Sequence, residues 1–347
     1  MPGWTVQRNC ASGMQSIDTA CRYIADGGAD LILAGGTEAL SHAPLLFNTR
    51  GVNWYADMFA AKTPLQKLKV ALGARPAMFS PSIALLRVLT DPVVKLNMGQ
   101  TAELLAHRFS VSREAADAYS VESHHRLAKA QENGWLKEME PLFGNDGKVY
   151  DFDDGVRPDN TVEHLAKLKP AFERPYGKVT AGNSSQITDG ACWTICASEE
   201  AVRRFDLEPV ARIVDSEWAA CDPSVMGLGP VISSTPMLKR NRLGLKDIGA
   251  WEINEAFAAQ VLACLEAWRD KAFCRDVLGL DRAFGALDPR RLNVDGGAIS
   301  LGHPVGTSGN RIVLHLIHVL KRLGLKRGVA TECIGGGMGG AMLVEVL

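Results

Sequence analysis

Apolar residues at Met14, Ile17, Cys21 and Ile24 recur at the spacing of a helix face and predict a helix that starts just after Cys10 and runs to Gly27-Gly28. Ahead of it, Trp4-Thr5-Val6-Gln7 has a β-type pattern. Behind it, Asp30-Leu31-Ile32-Leu33-Ala34-Gly35-Gly36 reads as a buried strand ending in glycines. The C-terminal region repeats this plan. Gly302-His303-Pro304-Val305-Gly306 opens an amphipathic helix with Ile312, Leu316, Val319, Leu320 and Leu323 on one face, followed by a strand from Gly328 to Cys333 and by Gly335-Gly336. Ser12-Gly13 to Gly35-Gly36 and Ser308-Gly309 to Gly335-Gly336 thus predict an internal duplication. Each half offers a helix N-terminus and a glycine-rich strand end to a shared site.

Between the halves the pattern changes. Residues 44–98 form a basic, apolar and proline-interrupted excursion, with Lys62, Lys67, Lys69, Arg75, Arg87 and Lys95 against Asp57 and Asp91. Ser112 caps a long helix from Arg113 to about Gln131, stopped by Asn133-Gly134, and a polar loop segment follows to Gly177. Thr180 to Ala197 reads as a glycine turn and a buried strand. The remainder alternates strands (210–214, 250–253, 291–294) with helices (256–268, 307–323), which predicts a layered α/β unit.

Composition narrows the function. At 347 residues the chain is long for one core, and 38 Lys plus Arg against 39 Asp plus Glu leave no global field to recruit nucleic acid. The eight cysteines show no Cys-x-x-Cys pair and no zinc spacing, so a reducing compartment and no metal are expected. Met1-Pro2-Gly3-Trp4 lacks the features of a targeting segment and no apolar run has the length of a membrane span, giving the expectation of a soluble, cytoplasmic protein.

Chemistry concentrates at three positions. A thiol at Cys10 would meet the unpaired amides and positive dipole end of the following helix, which favour thiolate. The competing reading is a small buried core residue. His303 and Cys333 share the same kind of setting, and Pro304 with its flanking glycines pins the histidine backbone. Gly335-Gly336-Gly337-Met338-Gly339-Gly340 formally fits a dinucleotide motif, but only a strand-like Ala341 to Leu347 follows, so NAD is not implied. A serine hydrolase is unsupported, since no G-x-S-x-G elbow occurs.

The chain resembles the thiolases, the acetyl-CoA acyltransferases, along nearly its whole length. The resemblance rests on ordered blocks: Asn9-Cys10-Ala11-Ser12-Gly13, Gly35-Gly36-Thr37-Glu38, Met98-Gly99-Gln100-Thr101-Ala102-Glu103, Thr180-Ala181-Gly182-Asn183, Asn254-Glu255-Ala256-Phe257-Ala258, Gly296-Gly297-Ala298-Ile299 with Gly302-His303-Pro304, and Cys333-Ile334-Gly335-Gly336-Gly337. It implies an α/β, duplicated α-β-α-β-α layered fold with an inserted loop domain and a truncated first half. The expected domains are an N-terminal one (1–43 and 178–205), the insert (44–177) and a C-terminal one (206–347). It further implies thiolytic cleavage of 3-ketoacyl-CoA in fatty-acid β-oxidation, with coenzyme A as co-substrate, no bound cofactor and a homo-oligomer.

By the same resemblance, Cys10 is the nucleophile, His303 its base and Cys333 the acid/base for the acetyl-CoA enolate. One oxyanion site pairs His303 with a water on Asn254; the other uses the amides of Cys10 and Gly335. Arg157 faces the CoA nucleotide, although a solvated loop charge is its simpler reading. Ala181 and Ser185 face the pantetheine arm, and Met226 and Phe257 line the acyl pocket.

Departures from the family pattern are instructive. Cys10 is nearly the first residue, whereas thiolases carry a substantial segment before it; the expectation is a truncated first domain, with exposed strand edges and impaired activity. The excursion at 44–98 and the segment around 268–289 resemble the β-subunits of fatty-acid-oxidation complexes. Asn97 stands where short-chain biosynthetic thiolases have histidine, and Asn254 where those β-subunits usually do. Residues 57–95 are expected to dock a membrane surface or a hydratase/dehydrogenase α-subunit, with a lid over the acyl tunnel as the competing role. The competing functions are acetoacetyl-CoA synthesis and an inactive acyl-CoA-binding pseudoenzyme. A decarboxylating ketoacyl synthase is disfavoured because it needs a second active-site histidine where Asn254 stands.

Overall fold

In the computed structural model, which describes residues 2–347, α1 (Ser12–Ala25) buries Met14, Ile17 and Ala20 and ends before Gly27, whose φ is 74°. After β1 (Leu31–Ala39) the excursion is largely helical: β2 (Leu45–Phe47), α2 (Thr49–Ala60), α3 (Pro64–Leu72), β3 (Pro81–Ile83) and α4 (Ala84–Val88), with β2 and β3 paired antiparallel. Asn48 caps α2, and Thr63 with Gln66 forms a reciprocal capping box on α3. Asn97 and Ser112 cap α5 (Met98–Arg108) and α6 (Arg113–Glu132). The expected polar loop contains β4 (Leu142–Phe143), β5 (Val149–Tyr150) and α7 (Val162–Ala166). The chain then returns as β6 (Asp189–Ala197), antiparallel to β1 with Trp193 opposite Gly35, and α8 (Glu199–Arg204) follows.

The C-terminal half is built from β7 (Ala211–Ala220), α9 (Gly229–Arg240), β8 (Ala250–Ile253), α10 (Ala258–Arg269), α11 (Lys271–Asp276), α12 (Ala298–Leu301), α13 (Ser308–Leu323), β9 (Arg327–Ile334) and β10 (Met338–Val346). Its strands form one mixed sheet in the order β7-β10-β9-β8, only β8 and β9 being parallel. One apolar layer lies on the α9 and α10 side, where Trp251 and Trp268 meet edge-on at 5.4 Å. The other lies between the sheet and the pair α1 and α13. Fully buried aliphatic side chains such as Ile17, Ile312 and Leu316 contribute about 1.5–3 kcal/mol each.

The duplication is visible where α1 crosses α13. A Cβ on Gly13 would lie 2.6 Å from the amide nitrogen of Asn310, and one on Gly309 would lie 2.5 Å from that of Met14. Two helix starts approach this closely only because each presents a glycine to the other's backbone.

Several expectations are corrected. Residues 4–7 form no strand; Trp4 instead rests edge-on against Tyr23 at 5.2 Å. β1 and β6 are not buried strands. They make a two-stranded sheet with one face on α1 and α13 and the other open, leaving Leu33, Trp193 and Ile195 at least half exposed. Residues 291–294 are not a strand either: Asn293 adopts φ 44° and its side chain bonds both the amide and the carbonyl of Ile253, so the run makes only isolated bridges. His303 precedes its helix rather than opening it, since α13 begins at Ser308.

Candidate active site

Cys10 sits in a 3₁₀ turn, Asn9–Ala11, directly before α1. The turn requires φ 47° at Asn9, a conformation that asparagine tolerates better than most residues. Asn9 Nδ2 donates to the Gly335 carbonyl at 2.8 Å, and Ser12 Oγ donates to the Asn9 carbonyl at 2.8 Å, so the turn is fastened to the end of β9. The amides of Gly335 and of Cys10 itself both act on the Cys10 sulfur and favour its thiolate. Burial outweighs them and, with Glu332 nearby, pushes the thiol up to about 11. The amides thus favour the thiolate as the position before a helix implies, but desolvation exceeds them and the resting group is a thiol that needs a base.

His303 is buried, and burial together with the Arg311 charge pulls it down to about 4, so its imidazole is neutral at pH 7. Ser308 Oγ lies 2.6 Å from His303 Nδ1 and also donates to the Pro304 carbonyl. That pairing makes Nδ1–H the donor to Ser308 and leaves Nε2 without a proton, facing Asn254 Nδ2 at 3.5 Å. Asn254 is itself fully buried, its amide bonded to Thr331 on β9, and its Oδ1 has no partner among the described residues. Next to it, Glu255 accepts from Tyr119, Ser123, Asn293 and the Ile299 amide, which locks the turn after β8. Among the described residues no hydrogen bond joins His303 to Cys10.

Cys333 is buried at the end of β9, and burial, then the neighbouring Cys10, Cys264 and Glu332, drive its thiol far above the ordinary value. It packs in one apolar cluster with Met226, Phe257 and Ala256, against which Met98 rests. The loop after β9 turns through φ 95° at Gly336 and 77° at Gly337, where a Cβ would strike the Cys221 carbonyl. Gly335 has no such constraint, since a Cβ there would meet Met98 Sδ at 3.5 Å, an ordinary contact. A cavity of about 1020 Å³ opens on Cys10, bordered by Met98, Leu89, Val305, Gly335 and Gly336.

The remaining sequence-assigned residues lie around this centre. Ser185 gives its amide to the Ala256 carbonyl, its hydroxyl has no hydrogen-bond partner among the described residues, and Ala181 is the exposed first residue of a 3₁₀ turn that ends on buried Asn183. Arg157 is exposed and makes no ion pair among the described residues; only its backbone is engaged, its amide donating to His124 Nδ1 and its carbonyl accepting from the Asn160 amide. Sequence reasoning missed the supporting roles of Asn9, Met98, Glu255, Ser308 and Glu332. Asn9 carried a signal, its tolerance of left-handed backbone. Glu332, a polar residue within a strand, carried none. Among the described residues no cluster of His, Cys, Asp and Glu has the arrangement of a metal site.

The comparisons agree with this architecture. The thiolase N-terminal domain model matches residues 1–200 and the thiolase C-terminal domain model residues 207–346. The mitochondrial 3-ketoacyl-CoA thiolase of Rattus norvegicus is 40% identical over 346 residues, covering 98% of this chain and 78% of the relative. A 3-ketoacyl-CoA thiolase of Photorhabdus laumondii is 37% identical over 350 residues, covering 99% and 78%. Among solved structures, human mitochondrial 3-ketoacyl-CoA thiolase in complex with CoA superposes with a TM-score of 0.83 at 39% identity, covering 100% of this chain and 78% of that one. The Bacillus anthracis acetyl-CoA acetyltransferase superposes at 0.82 and 36% identity, covering 99% and 79%. Two domain models that together span the chain, and relatives that align end to end with it, leave one conclusion: the chain belongs to the thiolase family.

Proposed function

We propose that this acyltransferase cleaves 3-ketoacyl-CoA with coenzyme A, releasing acetyl-CoA and a shortened acyl-CoA, as its relatives named 3-ketoacyl-CoA thiolase do. The observation that carries the reading is Cys10 held between its own amide and that of Gly335, beside the second thiol of Cys333. Cys10 sulfur attacks the ketone carbon while its proton passes to the free Nε2 of His303. The bond between C2 and C3 breaks, the electron pair stays on C2 as an enolate, and Cys333 gives that carbon a proton. Coenzyme A then attacks the acyl-Cys10 thioester, its thiol proton returning to Cys333, and Cys10 recovers its own from His303. The amides of Cys10 and Gly335 suit the oxyanion of one step, and His303 with Asn254 that of the other.

Arg157, exposed and unpaired, would meet the CoA nucleotide; Ala181 and Ser185 would border the pantetheine arm. Met226 and Phe257 would receive the acyl chain beside Cys333. The test is intact-mass spectrometry after incubation with a 3-ketoacyl-CoA, followed by peptide mapping. An acyl group on the Cys10 peptide is expected; an unmodified chain, or an adduct confined to other cysteines, refutes the assignment.

Homo-oligomer formation is proposed on the open apolar face around Leu33, Trp193 and Ile195. The eight free thiols support a reducing compartment such as the cytoplasm. Residues 57–95 are proposed to rest on an anionic lipid surface, because Phe59, Leu65 and Leu72 are 77–88% exposed among lysines and no helix in the described residues is long and apolar enough to cross a membrane. Combined Phe59→Ser, Leu72→Ser and Lys67→Glu substitution should abolish co-sedimentation with phosphatidylglycerol vesicles and spare cleavage of short soluble substrates. Unchanged vesicle binding would leave the lid or a protein partner as the role of this segment.

A further inference from the structure

Glu332 precedes Cys333 on β9, is fully buried, and has no hydrogen-bond partner among the described residues on either carboxyl oxygen. One of those oxygens fills the space that a Cβ on Gly309 would need, in the first turn of α13, and Met14 of α1 borders the same spot. The carboxyl is thus lodged between the starts of the two helices, behind the Cys10 turn. The titratable groups that face it are few. The α13 helix contributes Arg311, the turn ahead of α1 contributes Cys10, and β9 contributes Cys333. Opposite it on β10 stands Gly340, while Glu252 of β8 is occupied with His315 and Arg311. Arg311 lies 3.8 Å from Glu252 and forms no hydrogen bond to Glu332.

We propose that Glu332 is a positioning residue for charge: it keeps its proton in the reactive enzyme, and its ionisation suppresses formation of the Cys10 thiolate. The inference rests on Cys10 as the nucleophile. A buried carboxylate with no hydrogen bond is strongly disfavoured, and burial accordingly lifts Glu332 far above the usual carboxylic range, with Arg311 pulling the other way. While neutral it adds no charge against the Gly335 and Cys10 amides that act on the sulfur. Once ionised it sets a negative charge beside the one the thiolate must carry.

The experiment is the pH dependence of iodoacetamide alkylation at Cys10, quantified on its peptide, in the full chain without substrate. Wild type is compared with Glu332→Gln and with Glu332→Leu, which removes the polar group and keeps a folded comparison available. The profiles are expected to coincide at low pH, where the carboxyl is neutral, and to separate as it ionises. Above that point the variants should react about tenfold faster than wild type, the effect of about one unit in the thiol's ionisation. Coincidence at every pH overturns the proposal, and so does an offset constant across pH, which marks a packing effect. Because alkylation needs no turnover, a missing acyl adduct would refute the thiolase reading without touching this coupling.

Discussion

Cys10→Ala is expected to lower kcat/KM for 3-ketoacyl-CoA cleavage by at least about 10⁴-fold, as removal of a covalent nucleophile does elsewhere. The Asn9 to Gly335 and Ser12 to Asn9 bonds that hold the turn do not involve the Cys10 side chain, so the fold should persist and the melting temperature should move little. Steady-state thiolysis and thermal unfolding of the same preparation check both halves. Cys333→Ala separates the two cysteines. Its Cys10 should still be acetylated by acetyl-CoA, since that step needs no proton on carbon, but more slowly, because the departing CoA thiolate must take its proton from water instead of Cys333. Exchange of the acetyl C2 protons with deuterated solvent should disappear, because the group that moves them is gone. Loss of acetylation in Cys333→Ala, or persistence of exchange, would contradict the division of roles.

Much of this site was legible because its parts are local. A cysteine before an apolar-periodic helix, a histidine pinned by Pro304, and glycines after a strand are each read from a few neighbouring residues, and the recurring order of helix and strand disclosed the two halves. The helices crossing at Gly13 and Gly309 follow from the same repeated Ser-Gly pair. The capping boxes of α3 and α5 were equally local: Thr63 with Gln66 and Asn97 with Gln100 are helix-start signatures within a segment read only as an interrupted excursion.

What escaped the sequence depends on which faces the fold covers. An apolar run such as Leu31 to Ala34 cannot tell a strand covered on both sides from one covered on a single side, and β1 is the second kind. Residues 291–294 have strand composition, yet Asn293 gains more from clasping Ile253 than from extending a ladder. The net ionisation of Cys10 was only half legible for a related reason. Position before a helix predicts the sign of the dipole effect, whereas the opposing burial, and the Glu332 charge that adds to it, come from distant parts of the chain.

His303→Asn is expected to reduce kcat by about 10³-fold, the range of a general base, with a smaller change in KM. The mechanism also fixes where acid should act. Because His303 is held near 4, Nε2 remains a free acceptor well below the ordinary histidine range, and activity should survive to about pH 5 for as long as the fold does. The fold sets the nearer limit. His303 and His124 are both buried with folded values of about 4 against an ordinary 6.5, so above pH 6.5 neither state is protonated and their stabilising contribution is complete. As pH falls from 6.5 through 4, the unfolded chain takes up protons that the folded chain refuses, and stability declines by about 2 kcal/mol per histidine by pH 5. His315 has the opposite sign: gripped by Asp295 and Glu138 and raised to about 10, it contributes fully below 6.5 and loses its contribution as pH rises through 10. Denaturant unfolding at pH 7.5 and pH 5 should therefore show His303→Asn losing about 2 kcal/mol less than wild type over that interval, the share of His303, because the contributions of His124 and His315 are common to both. The variant that has lost its base should be the less acid-sensitive protein. An identical pH 5 loss in both would mean that His303 is protonated in the folded state and cannot be the base.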